Sequence, residues 1–155
     1  ICGYCGVGCR IEYALKDGDI LYANGAVDNS VNGELLCTKG RYGWDFATNS
    51  DRLTKPLLRR DVAFDLGLTD EPWELPETSV LAVRKPKISD SFVEAEWDTA
   101  LDLVAERLAD TVKAYGPDSI MGLTSARCTN EDNYIFQKFM RAAIGTNNLD
   151  HCARL

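Results

Sequence analysis

Four cysteines stand in the pattern C-x2-C-x3-C-x27-C: Cys2, Cys5, Cys9 and Cys37. Three thiolates in one short loop and a fourth supplied from a distance form the ligand set of a [4Fe-4S] cubane, the loop wrapping three iron corners and a remote turn closing the last. A structural zinc ion more often draws its ligands from two separated C-x2-C pairs, and the second pair is missing here. The spacing therefore favours iron–sulfur over zinc, with buried free thiols and disulfides further behind. A cubane held by four thiolates is an anion, so N–H donors and positive charge must lie close to it. Gly3, Gly6 and Gly8 alternate through the first loop, and Gly40 and Gly43 follow Cys37, so that backbone amides can approach sulfur without an intervening Cβ. Arg10, Lys39 and Arg41 bring cations beside the ligands.

These thiols need elements to position them. Ile11, Tyr13 and Leu15 alternate with other residues, Asp17-Gly18 supplies a tight turn, and Ile20 with Tyr22 resumes the alternation, which predicts a two-stranded hairpin. Such a hairpin carries the chain away from the cysteine loop and returns it so that Cys37 closes the site. Residues 1–58 thus read as a small module whose slight core is stapled by its cofactor.

Residues 59–96 have a different texture, with nine acidic residues from Asp61 to Glu96, Pro72, Pro76 and Pro86, and short apolar runs such as Ser79–Val83. An acidic linker or insertion on the surface is expected, with room for a short strand pair. Its charge reads as a solvated face, a docking edge for a partner subunit being the sharper alternative. Residues 97–155 have the rhythm of an α/β layer. Leu101, Val104, Ala105, Leu108 and Val112 recur at helical spacing before Gly116-Pro117, a strand is expected over Ser119–Thr124, and a second helix from about Asn130 to Gly145. That is the beginning of an open, largely parallel sheet. Ligands of such sheets sit beyond the carboxyl ends of the strands, which singles out Ser125 to Asn130, a loop leading into a helix N-terminus.

Composition excludes more than it selects. A formal charge of −7 argues against a general nucleic-acid surface, and no run of 18 apolar residues is present to span a membrane. Six cysteines with no secretory leader in view fit a metal site or a reducing compartment better than a disulfide scaffold. A cytoplasmic location is therefore expected, with the periplasm left open because the chain begins inside a motif and a leader would lie ahead of Ile1.

The segments Cys37-Thr38-Lys39-Gly40-Arg41, Arg52 to Leu57, Trp97 to Leu101 and Tyr115 to Ser119, with the cysteine pattern before them, resemble the N-terminal part of a molybdopterin-dependent oxidoreductase. The stretches SARCTNEDNY (125–134) and IGTNNLDHCARL (144–155) are similar to the catalytic alpha subunit of formate dehydrogenase. The resemblance covers nearly the whole chain and is weakest from Asp61 to about Phe92, a segment longer than is usual in that family. It implies a [4Fe-4S] module followed by the start of an α/β molybdopterin guanine dinucleotide-binding domain, α+β and α/β in class. It implies a molybdenum or tungsten ion held by two pterin guanine dinucleotides, with formate giving up two electrons as it becomes carbon dioxide and the cluster passing them on singly. Cys2, Cys5, Cys9 and Cys37 map to the cluster ligands. Lys39 maps to a lysine between cluster and pterin that serves as electron relay, and Arg127 to an arginine at the pterin cofactor, where a guanidinium suits anionic oxygens.

Cys128 and Cys152 carry no partner pattern and read as small buried hydrophobes without a catalytic role; His151, the single histidine, reads as a structural support. In formate dehydrogenases the residue after a segment like Cys152-Ala153-Arg154-Leu155 is the cysteine or selenocysteine that ligates the metal, followed by a histidine. The expectation is that the chain is a piece of a larger polypeptide, its boundary reflecting a selenocysteine codon taken as a stop or a gene divided there. These 155 residues alone would then hold a cluster without turning over formate. The partners implied are the remainder of the catalytic subunit, iron–sulfur electron-transfer subunits and formate or carbon dioxide, with no nucleic acid. Another pterin enzyme, such as a nitrate reductase or formylmethanofuran dehydrogenase, and a non-enzymatic zinc module on the same four cysteines are the alternatives.

Overall fold

The structure is a computed structural model that describes residues 1–72 and 91–152. It divides into two compact units, Ile1–Arg52 with Leu108–Leu155, and Leu53–Arg107.

In the first unit the expected hairpin forms from β1 (Ile11–Lys16) and β2 (Asp19–Gly25), paired antiparallel. Asp17 and Gly18 both take positive φ, 53° and 94°, as a two-residue turn between right-twisted strands requires. The returning segment is built on two asparagines rather than on apolar packing. The Asn29 side chain accepts from the Val31 and Asn32 amides at 3.0 and 2.9 Å, an Asx turn. The Asn32 side chain accepts from the Arg10 amide at 2.9 Å and donates to the Leu35 carbonyl at 2.9 Å, tying the start of the hairpin to the approach to Cys37. A short helix α1 (Thr38–Tyr42) and a 3-10 turn (Asp45–Ala47) follow.

In the second unit β3 (Leu57–Arg59) pairs antiparallel with β4 (Phe92–Glu94), Leu58 opposite Val93. Between them, inside the stretch expected to be an acidic linker or insertion, α2 (Arg60–Asp65) is helical, and Ala63 is its buried residue. The predicted apolar run Ser79–Val83 lies outside the described residues. Lys55–Glu96, Arg59–Asp61 and Arg60–Glu71 form ion pairs at 2.6, 2.5 and 3.0 Å. Each has an exposed acidic partner, so water screens them and their contribution to stability is small.

Helix α3 (Trp97–Tyr115) follows the predicted bounds closely, with Asp98 in its first turn and Lys113 in its last, charges that suit the helix dipole. It stops where Gly116 turns to φ 83° ahead of Pro117. The strand expected over Ser119–Thr124 is shorter: Pro117–Ser119 winds as a 3-10 turn, with the Ser119 amide and hydroxyl both donating to the Gly116 carbonyl at 3.2 and 2.7 Å. β5 therefore begins at Gly122 and ends at Thr124.

Helix α4 (Asn130–Phe139) opens on a capping box, the Thr129 hydroxyl accepting from the Asp132 amide and the Asp132 carboxylate accepting from the Thr129 amide. It closes through a π turn (Met140–Ile144) at Gly145, φ 90°. β6 (Leu149–His151) then lies parallel to β5, Gly122 opposite Leu149 and Thr124 opposite His151. A strand, a helix and a parallel strand is the βαβ unit. Met140 and Ile144 are buried here. Thr146, 1% exposed, donates its hydroxyl to Asp118 at 2.7 Å and accepts from the Asn148 amide at 3.2 Å.

Candidate metal centre

The cysteine loop closes on itself through the Cys2 amide, which donates to the Cys9 carbonyl at 2.8 Å. That bond folds Cys2, Cys5 and Cys9 around one small turn. Cys37 enters from the N-cap position of α1, with extended backbone (φ −71°, ψ 169°). The sequence thus places three thiols by loop closure and the fourth by a helix start.

The structure brings all four into one neighbourhood. Burial raises the Cys9 thiol pKa, and Cys2, Cys5 and Cys37 each raise it further by charge repulsion, the behaviour of thiols crowded together. Cys37 moves the other way. Its thiol makes no cap hydrogen bond of ordinary geometry, yet the Gly40 amide, then the Lys39 amide and the Lys39 ammonium, hold its pKa below that of a usual thiol. All six cysteines are free.

Four unpaired thiols, one backed by amides and a cation, fit an anionic cluster in donor type and charge. Among the described residues no three His, Cys, Asp or Glu side chains are gathered as ligands of a metal ion. A cubane, with its own sulfides at alternate corners, spaces its thiolate ligands more widely than a lone tetrahedral ion does.

The cations divide. The Lys39 Nζ lies 5.8 Å from the centre of the Tyr4 ring and remains at the cysteine site. Arg41 does not: its guanidinium donates to the Ala23 carbonyl at 3.1 Å and the Asn24 side chain at 2.9 Å, fastening α1 to β2. Sequence reasoning placed it beside the ligands because spacing alone carries no direction for a long side chain.

The second predicted site lies at the carboxyl ends of β5 and β6. A cavity of about 370 Å³ opens there, lined by Thr124, Ser125, Ala126, Asn133, Tyr134 and His151 among others. Asn133 fixes the loop by donating to the Ser125 and Thr129 carbonyls, both at 3.1 Å. Arg127 is held through its amide, which donates to the Ser125 hydroxyl at 3.0 Å. Cys128 is half-buried, while Cys152, expected to be buried, is exposed with its sulfur 3.5 Å from the Ser125 Oγ. That hydroxyl, then the Ala126 amide and the Arg127 charge, lower the Cys152 pKa. Cys152 was missed as a polar site because its partners come from a strand end 27 residues away. The loop also reaches the cysteines: Asn130 donates its side-chain amide to the Gly6 carbonyl at 2.8 Å.

Known proteins give this arrangement a context. Residues 1–49 match the molybdopterin oxidoreductase Fe4S4 domain and residues 52–155 match molybdopterin oxidoreductase. The chain is 41% identical, over its whole length, to a formate dehydrogenase subunit alpha of Methanocaldococcus jannaschii, and 39% identical to formate dehydrogenase 1 subunit alpha of Methanococcus maripaludis. It spans 18% of the length of each. The acetylene hydratase from Pelobacter acetylenicus superposes on 97% of the chain, and on 18% of its own, with a TM-score of 0.60 at 20% identity, a likeness of fold. With both matches running across the cysteine loop, the hairpin and the βαβ unit, the chain belongs to the molybdopterin oxidoreductase family.

Proposed function

We propose that this chain is the cluster-binding and pterin-facing portion of a formate dehydrogenase catalytic subunit, working as part of a complete polypeptide that interconverts formate and carbon dioxide. The observation that carries it is the approach of a closed three-thiol loop and a helix-start thiol, near enough for Cys2, Cys5 and Cys37 each to act on Cys9 by charge. Cys2, Cys5, Cys9 and Cys37 would hold a [4Fe-4S] cluster. When bound, that cluster supplies one-electron transfer beside a two-electron molybdenum or tungsten centre on its pterins.

The chain's own residues then have distinct tasks. The Lys39 and Gly40 amides offset charge at the Cys37 sulfur. The Lys39 ammonium stands as the cation between cluster and pterin and serves as the electron relay. Arg127, at the end of β5 beside the cavity, offers its guanidinium to an anionic oxygen of the pterin cofactor. The identity to formate dehydrogenase subunits supports the choice of formate over nitrate or formylmethanofuran. Iron–sulfur subunits are the electron partners that such a relay requires. Among the described residues no helix is long and apolar enough to cross a membrane. Six free cysteines fit a reducing compartment, which supports a cytoplasmic location.

Anaerobic purification of the complete catalytic polypeptide tests the reading. About four irons with matching acid-labile sulfide are expected at this site, with formate-dependent reduction of an added dye. Stoichiometric zinc without sulfide would overturn the cluster assignment, and nitrate-dependent oxidation of a reduced dye with no formate-dependent dye reduction would overturn the substrate.

A further inference from the structure

We propose that Tyr4 is a positioning residue that holds the Lys39 ammonium at the cysteine site and bolts α1 onto the cysteine loop. The proposal rests on the reading of Lys39 as the cation next to the cluster, and extends it to the group that keeps that cation in place.

Tyr4 lies between Cys2 and Cys5, so its backbone moves with the cluster loop. Its side chain reaches out of that loop to the far element. The hydroxyl donates to the Gly43 carbonyl, just past α1. A Cβ at Gly43 would stand 2.7 Å from the Tyr4 hydroxyl oxygen and 3.0 Å from its ring carbon, so the absence of a side chain there admits the ring. Phe46 meets the ring edge-on, centroids 6.1 Å apart and planes at 87°, which fixes its plane. The Lys39 Nζ then lies 5.8 Å from the ring centre, within reach of the negative face. Cys2, Tyr4, Lys39 and Phe46 also bound one small cavity of about 70 Å³, so the cation, the ring and a thiol share a single pocket.

A lysine ammonium on a flexible four-carbon stem otherwise ranges over many positions in water. A cation close to the cluster favours its more negative, reduced form and raises its potential; a cation that swings away does not. Tyr4 therefore acts on the cluster through Lys39, while its hydroxyl keeps the remote thiol's helix in register with the loop.

The test is the midpoint potential of the cluster, followed by EPR in a redox titration of the complete cofactor-loaded polypeptide. Lys39→Met is expected to lower it. Tyr4→Leu is expected to lower it too, by less, and the double variant is expected to match Lys39→Met alone. Tyr4→Phe, which keeps the ring, should hold the potential near that of the parent. A Tyr4→Leu variant at the parent potential, or shifts that add fully in the double variant, would overturn the positioning role while leaving Lys39 where it is. No shift in Lys39→Met would instead remove the underlying reading of Lys39, and the proposal with it. Should Tyr4→Leu fail to assemble a cluster, progressively fluorinated phenylalanines at position 4 keep the shape while draining the ring face. The potential should fall stepwise with fluorination, and a flat series would refute the proposal.

Discussion

Among the described residues, 1–52 bury only small apolar side chains, Cys2, Ala23 and Ala26, whereas the region around α4 and β6 buries the larger Met140 and Ile144 together with the polar Thr146. The first is joined by side-chain amides and by thiols that crowd one another. The second is joined by a capped helix, a π turn and a parallel strand pair. Both belong to one compact unit, yet they answer to different forces. A module with so little apolar burial draws on its cofactor for folding energy, while the strand region carries its own packing and caps.

Removing a ligand should break the comparison open most widely. Cys37→Ala in the complete polypeptide should lose most of the iron and the hydrogen-exchange protection of the hairpin, with protection in α4 retained. Equal loss at both ends would mean that they are one cooperative element. Next in size is Thr146→Val, which leaves the Asp118 carboxylate without its buried donor and should cost about 1–3 kcal/mol in local opening, read from exchange of the β6 and π-turn amides while cluster content holds. A drop in iron would contradict the separation. Thr129→Ala removes one half of the capping box and should cost about 1 kcal/mol, seen as faster exchange in the first turn of α4.

The smallest effect concerns charge. With its pKa held below the usual thiol value by Ser125, Ala126 and Arg127, Cys152 keeps its thiolate to lower pH than an ordinary cysteine. Ser125→Ala removes the largest of those contributions, so the alkylation rate of Cys152 should rise at a higher pH than in the parent. An unmoved pH profile would show that the hydroxyl does not touch the sulfur in solution.

Local chemistry was the legible part of the sequence. Asp17-Gly18 announced the hairpin because the turn needs positive φ at both positions. Gly116-Pro117 announced the end of α3 because neither residue continues a helix. The cysteine spacing announced a site because ligand chemistry constrains both residue type and interval. What stayed hidden depends on distant pairing. β6 reads as a polar loop, Asn-Asn-Leu-Asp-His, until β5 lies beside it. β3 and β4 pair across an acidic stretch that carries no register of its own. Tyr4 sits within the cysteine motif, but a tyrosine between ligands has no fixed meaning until Gly43, Phe46 and Lys39 converge on it.

The bond from Asn130 to the Gly6 carbonyl joins residues 124 positions apart, and contacts of such span close slowly because the intervening chain must first surrender its freedom. On a ribosome the cysteine loop emerges long before the asparagine that braces it. A cluster delivered during synthesis would meet a loop still open on that side, and one delivered afterwards would meet a loop already gripped.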